Sequence, residues 1–167
     1  MHHDLMRGLK QGKPFGLMEQ TPSVTNWHPY NMLKRPGVMR LLSYQAVAHG
    51  ADTVMFFQMK RSIGACEKYH GAVIDHAGHE NTRVFREIRA LGAELDKLGS
   101  KTLGARCDAK AAIVFDWDNW WAVSYSAGPT VYLDYCKEVL HYYKALHNLN
   151  VPVDMIGVED DLSSYSL

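Results

Sequence analysis

Glu19 closes a short apolar run, Phe15-Gly16-Leu17-Met18, and opens a polar turn, Gln20-Thr21-Pro22-Ser23. A carboxylate where a buried strand opens into a loop stands where barrel and open-sheet enzymes keep their reacting groups. This segment alone supports a catalytic acid and an ordinary exposed acid equally. A second cluster lies in residues 58–78, which carry Lys60, Arg61, Glu67, Lys68, His70, Asp75 and His76. A polar loop of that length inside a compact domain is usually functional. Asp75, His76, His79 and Glu80 are metal-ligand residue types, but the imidazoles are three apart across a glycine and no third ligand is fixed. They are expected at a helix entry, without a bound metal.

The elements that would position these groups follow from periodicity. Residues 14–18 read as a buried strand, and residues 21–36 as a loop rich in Pro and Asn. Val38, Leu41, Leu42, Gln45 and Ala48 recur at helical spacing, with Pro36 near the start and Gly50 placed to end the helix. Residues 53–57 form a second β-branched and apolar run. Asn81 or Thr82 can cap a further helix whose Phe85, Ile88, Leu91 or Gly92, Leu95 and Leu98 share a face, with Gly99 as its stop. Strand, helix, strand, helix with polar loops after the strands is a parallel α/β pattern.

The texture changes between Leu98 and Ala109, where Gly99, Ser100, Thr102 and Gly104 suggest a linker. Residues 111–115 then read as a strand, 116–121 as a polar and aromatic loop, 131–148 as a helix and 151–156 as a strand. That unit has too little core to be complete, so the chain is expected to stop within a domain. Trp117, Trp120 and Trp121 need something to pack on. A subunit contact is the preferred expectation and packing within the domain the competing one; Tyr142 and Tyr143 pose the same choice.

Composition excludes several classes. Eighteen basic and eighteen acidic side chains cancel, and 47% of the 167 residues are hydrophobic. That suits a packed core and gives no field to recruit nucleic acid or an anionic membrane. Cys66, Cys107 and Cys136 lie far apart, implying neither a disulfide framework nor a zinc knuckle, and a reducing cytoplasm is expected. No stretch has the apolar length of a membrane span, and the start has no signal-type core. No cofactor is implied.

The wording of the sequence is more specific. Met18-Glu19-Gln20-Thr21-Pro22-Ser23, Asn26-Trp27, Leu33-Lys34-Arg35-Pro36-Gly37, Gln45 to Asp52, Phe56-Phe57-Gln58, Glu67-Lys68-Tyr69-His70-Gly71 and Asp116 to Trp121 closely resemble the β-galactosidases of glycoside hydrolase family 42. The resemblance spans essentially the whole chain, although members are several times longer. It implies an α/β chain: residues 1–100 as the C-terminal part of a (β/α)8 TIM barrel, strands 7 and 8 with their helices. Residues 105–167 would then begin a Rossmann-like, amidotransferase-like domain that forms a homotrimer.

The resemblance also implies roles. Glu19 matches the nucleophile of a retaining enzyme acting on terminal β-D-galactosyl groups, while the partner acid/base Glu is expected upstream of Met1, leaving the chain inactive alone. Such enzymes hold two carboxyl groups about 5 to 5.5 Å apart, one attacking the anomeric carbon and the other protonating the leaving oxygen. Arg35 or Lys60 is a candidate to supply positive charge near Glu19. Trp27 matches an aromatic wall against the sugar, Phe57 a site wall where plain core is the default, and Glu67 and His70 a pair that grips galactose hydroxyls. Without the motif, Glu67 and His70 read as a solvated ion-pair loop. Met59 and Lys60 replace the Trp-Arg pair many members carry, Leu42 stands where a larger aromatic is common, and Gly16 weakens the strand beside Glu19. These departures bear on the sugar contacts. The alternative function is a noncatalytic α/β module for sugar binding or oligomerisation.

Overall fold

In the computed structural model, which describes residues 1–167, the elements in chain order are α1 (His2–Gly8), β1 (Phe15–Gln20), α2 (Val38–Ala48), β2 (Ala51–Phe56), a 3-10 turn (Cys66–Tyr69), α3 (Arg83–Thr102), β3 (Ala111–Val114), α4 (Trp117–Tyr125), α5 (Tyr135–Asn148) and β4 (Val153–Ile156). They form two compact units, Pro14–Ala105, and Met1–Lys13 with Arg106–Leu167. Each contains one parallel pair of strands, β1 with β2 and β3 with β4, and the fold is mixed α/β. No helix is long and apolar enough to cross a membrane.

In the first unit, β1 is bulged at its C-terminal end. Leu17 stands opposite Val54 and Gln20 opposite Phe56, so β1 advances one residue more than β2 across the stretch containing Glu19. Such an extra residue locally breaks the pairing and re-aims a side chain. The helix between the strands starts at Gly37, whose φ of 83° is one that L side chains rarely adopt.

The apolar face expected on α2 is displaced. The buried positions are Met39, Ser43 and Ala46, while Leu41 is exposed. Residues 39, 43 and 46 follow helical spacing equally well. The Ser43 hydroxyl donates to the Met39 carbonyl at 2.9 Å, so its burial leaves no unmet hydrogen bond. For α3, Thr82 is the cap, its Oγ1 accepting from the Phe85 amide at 3.2 Å. Leu91 is fully buried on the expected face. Gly99 does not stop the helix, which continues to Thr102; the chain turns at Gly104, with φ of 69°. A helical glycine costs about 1 kcal/mol relative to alanine, too little to end a helix that is otherwise satisfied.

In the second unit, β3 and β4 pair without interruption from Ala111 opposite Val153 to Val114 opposite Ile156. The expected loop after β3 is a helix. Asp116 accepts from the Asp118 amide at 3.0 Å and caps α4, a cap that an acidic residue before an aromatic run can supply. Trp117 and Trp120 meet Phe115 with ring centroids 5.0 and 6.0 Å away, and Tyr135 meets it at 5.4 Å. Packing inside the unit therefore accounts for Trp117, Trp120 and the buried Tyr143, whereas Trp121 and Tyr142 are exposed. Helix α5 begins at Tyr135, later than the periodicity suggests, because Asp134 caps it through the Lys137 amide at 3.1 Å.

Helix α1, which no sequence signal indicated, lies on β4. Its Leu5 joins Phe115, Val139, Tyr143, Val153 and Met155 in the core. Asp4, 3% exposed, accepts from the Tyr143 hydroxyl at 2.5 Å and from Arg7 at 2.7 Å. Arg7 also donates to Asp154 at 2.7 Å and to the Val153 carbonyl at 3.1 Å, and Tyr165 donates to the other Asp154 oxygen at 3.0 Å. Burial, then the bond to Asp4, pushes the Tyr143 hydroxyl far above the usual tyrosine value; burial, then the bond to Asp154, pushes Tyr165 up to about 12.

Candidate active site

The candidate residues lie at and beyond the C-terminal ends of β1 and β2. Glu19 is exposed, and neither Arg35 nor Lys60 pairs with it. The cation at this strand end is Lys34, which donates to Gln20 Oε1 at 3.0 Å and to the Thr21 carbonyl. Burial lowers the pKa of the Lys34 ammonium. Arg83 at the start of α3 donates to the Lys34 carbonyl at 3.0 Å. The residues next to Glu19 are thus fastened from the following loop and from α3.

Phe57 continues from β2, and its amide donates to the Gln20 carbonyl at 3.2 Å, joining the two strand ends. Its ring is 36% exposed and meets His70 edge-on, centroids 5.0 Å apart and planes at 76°. The sequence default of plain core does not describe it: the residue is only partly covered, with the His70 ring as a packing partner.

His70 is 2% exposed. Its Nδ1 lies 2.8 Å from the Gly71 carbonyl, which can only accept, so Nδ1 carries a hydrogen, and in the neutral tautomer this selects Nε2 is the acceptor. That Nε2 is buried without a hydrogen-bond partner, and so is Glu67 Oε2. Buried acceptors are normally satisfied, and leaving one unmet costs about 1 to 3 kcal/mol. The two sit three residues apart across one turn, the His70 amide donating to the Glu67 carbonyl at 3.1 Å. They are not a solvated ion-pair loop. Two acceptors without donors suit a ligand that brings hydroxyl groups.

Trp27 is 67% exposed, its ring 4.0 Å from that of His28. Its loop is tied to the Glu67–His70 segment on both sides: Asn26 donates to the Cys66 carbonyl at 2.9 Å, and the Gly71 amide to the Val24 carbonyl at 2.7 Å. Gly71 lets the two backbones approach this closely, since a Cβ would stand 2.9 Å from the Val24 amide nitrogen.

The supporting residues escaped the sequence reading. Gln58 donates to the Glu67 carbonyl at 3.2 Å and accepts from Ser62 at 3.0 Å. Arg61 donates to the carbonyls of Lys68 and Tyr69 at 2.9 and 3.3 Å and to Asp75 at 2.9 Å. Burial alone would raise Asp75, but hydrogen bonds from Arg61 and the His76 amide, with the Arg61 charge, hold its carboxyl below the ordinary value. Only the crowding of charged residues in 58–78 hinted at this network. His76 Nε2 is 2.8 Å from the Ser62 carbonyl and His79 Nδ1 accepts from the Asn81 amide at 3.2 Å, so the two imidazoles serve different turns.

Residues 1–98 match the glycoside hydrolase family 42 β-galactosidase profile, and residues 109–167 match the β-galactosidase trimerisation domain. The chain belongs to the glycoside hydrolase family 42 β-galactosidases. It is 67% identical over its full length to the β-galactosidase BgaA of a Planococcus species, and 52% identical over 99% of its length to the β-galactosidase LacZ of Lactobacillus acidophilus. In both cases it spans about 25% of the relative. The crystal structure of a β-galactosidase from Bacillus circulans sp. alkalophilus superposes with a TM-score of 0.94 at 66% identity, over 98% of this chain and 24% of that one.

Proposed function

We propose that the chain supplies the nucleophile half of a retaining β-galactosidase that hydrolyses terminal β-D-galactosyl groups by double displacement. Its Pro14–Ala105 unit forms the last two βα units of a TIM barrel, and the segment from Arg106 begins a Rossmann-like domain through which three copies assemble. Glu19 attacks the anomeric carbon and the glycosyl ester is then hydrolysed. The acid/base carboxyl group comes from a barrel segment outside these 167 residues. Trp27 and Phe57 bound the sugar's apolar face, while Glu67 and His70 accept hydrogen bonds from its hydroxyls.

The observation that carries this reading is the pair of unmet buried acceptors, Glu67 Oε2 and His70 Nε2, beside Phe57 at the strand ends. Oligomerisation alone gives no reason to bury them empty. Galactose hydroxyls would satisfy both, and a site built to bond a hydroxyl strongly rejects analogues lacking it. The test uses a complete enzyme made by setting this chain in place of the matching quarter of the Planococcus relative. Treated with a 2-fluoro galactoside, it should carry the label on the peptide containing Glu19, and Glu19→Gln should abolish labelling. Label on another carboxylate would reassign the nucleophile.

A further inference from the structure

We propose that Arg61 is a positioning residue and specificity determinant that acts through the Glu67–His70 turn, a role that rests on the assignment of those two residues to sugar hydroxyls. The turn Cys66–Tyr69 is one 3-10 turn long, entered through Ala65 at φ 54° and left through His70 in extended conformation. So short a segment has little hydrogen bonding of its own to fix where its side chains stand. Arg61 replaces that missing support. The Nε of the guanidinium reaches the Lys68 carbonyl and a second nitrogen the Tyr69 carbonyl, those of the two residues between Glu67 and His70.

The guanidinium is itself held. Its remaining nitrogen pairs with Asp75 at 2.9 Å, and the Arg61 amide donates to the Ile74 carbonyl at 2.9 Å. The amides of Val73 and Ile74 in turn donate to the carbonyls of Gln58 and Met59, both at 2.8 Å. The segment after His70 is thereby laced to the segment before Arg61, and the turn carrying both acceptors is the closed end of that lace. A planar fork is needed to reach two successive carbonyls and a carboxylate together; a lysine ammonium is a single point donor.

The consequence is selective. Removing the fork lets the Glu67 carboxylate and the His70 ring move relative to each other. Hydroxyl recognition weakens, whereas the residues next to Glu19 stay fastened through Lys34 and Arg83. Displacement of about 1 Å at such a contact costs on the order of 100-fold.

The experiment uses the same complete enzyme with nitrophenyl β-galactoside and its monodeoxy analogues. Arg61→Met should raise KM by roughly 10- to 100-fold with a much smaller change in kcat. It should also shrink the enzyme's preference for the parent sugar over the deoxy analogue that Glu67→Gln or His70→Asn no longer distinguishes. Arg61→Lys should recover little of it, and Arg61→Met combined with His70→Asn should lose no more than His70→Asn alone. Equal falls in kcat for all sugars, or unchanged discrimination, would overturn the proposal while leaving the sugar site intact. Galactoside kinetics untouched by Glu67→Gln and His70→Asn would instead overturn the hydroxyl-binding assignment beneath it. If Arg61→Met does not fold, Asp75→Asn, which loosens the fork without removing it, is read by the same discrimination ratio.

Discussion

Gly8→Ala sets two opposing physical effects against each other at the end of α1. By helix propensity, alanine is favoured over glycine by about 1 kcal/mol, and Gly8 has no positive φ to forbid a side chain. A Cβ there, however, would lie 1.6 Å from the Met155 carbonyl oxygen and 2.8 Å from its carbon, both backbone atoms of β4. The first contact is about 1.4 Å closer than real Cβ atoms come, and backbone in a paired strand cannot rotate aside. Overpacking typically costs about 1 to 3 kcal/mol when neighbours can shift. Here the shift must be taken by α1 itself, which also threatens burial of Leu5, about 1.5 to 3 kcal/mol, and the part-buried pairs of Arg7 with Asp4 and Asp154. A net loss of at least about 2 kcal/mol is expected despite the better helix former. Urea unfolding of the complete enzyme should show the lowered midpoint, and hydrogen exchange should show earlier exchange of the residue 5–8 amides. A variant as stable as the parent, or more so, would refute the close seating of α1 on β4.

Gly71→Ala should leave the protein folded but force the Val24 backbone away by a few tenths of an ångström, since the added Cβ would meet Val24 N at 2.9 Å and Ser23 Cβ at 3.2 Å. A destabilisation of about 1 to 3 kcal/mol and a changed Trp27 fluorescence response to galactose are the expected readings. Alkaline titration should reveal late-ionising tyrosines. Tyr165, raised to about 12, keeps its proton in the folded state after the unfolded chain has lost it near pH 10. The raised group therefore stabilises the fold below pH 10, and this contribution is lost as pH climbs from 10 to 12. Ultraviolet difference titration should show this phase, and Tyr165→Phe should remove part of it.

The parallel α/β plan was readable because β1, β2, β3 and β4 are apolar runs bounded by polar turns, and α3 has a strong apolar face with a capping threonine. Glu19, Glu67 and His70 were legible as motif members, but their surroundings were not. The Arg61 fork depends on where two carbonyls of a 3-10 turn fall, and the Lys34 contact on a side-chain path across a loop; neither has a periodic signature. The α4 helix was missed because three tryptophans obscure an amphipathic period, although Asp116 had the residue type of a cap. Short α1 carries no such signal: what holds it is the tertiary core around Leu5 and the buried Asp4 with its partner Arg7, and propensity does not encode those.

The additional residue in β1 decides the fate of an acid without touching its chemistry. Had the two strands kept step after Leu17, Glu19 would stand opposite Phe56, where Gln20 now stands. The ammonium of Lys34 would then meet a carboxylate in place of an amide. The group would be neutralised inside the scaffold, leaving an uncharged glutamine at the exposed position. A backbone count, which no point substitution can restore, separates an idle ion pair from an exposed carboxylate.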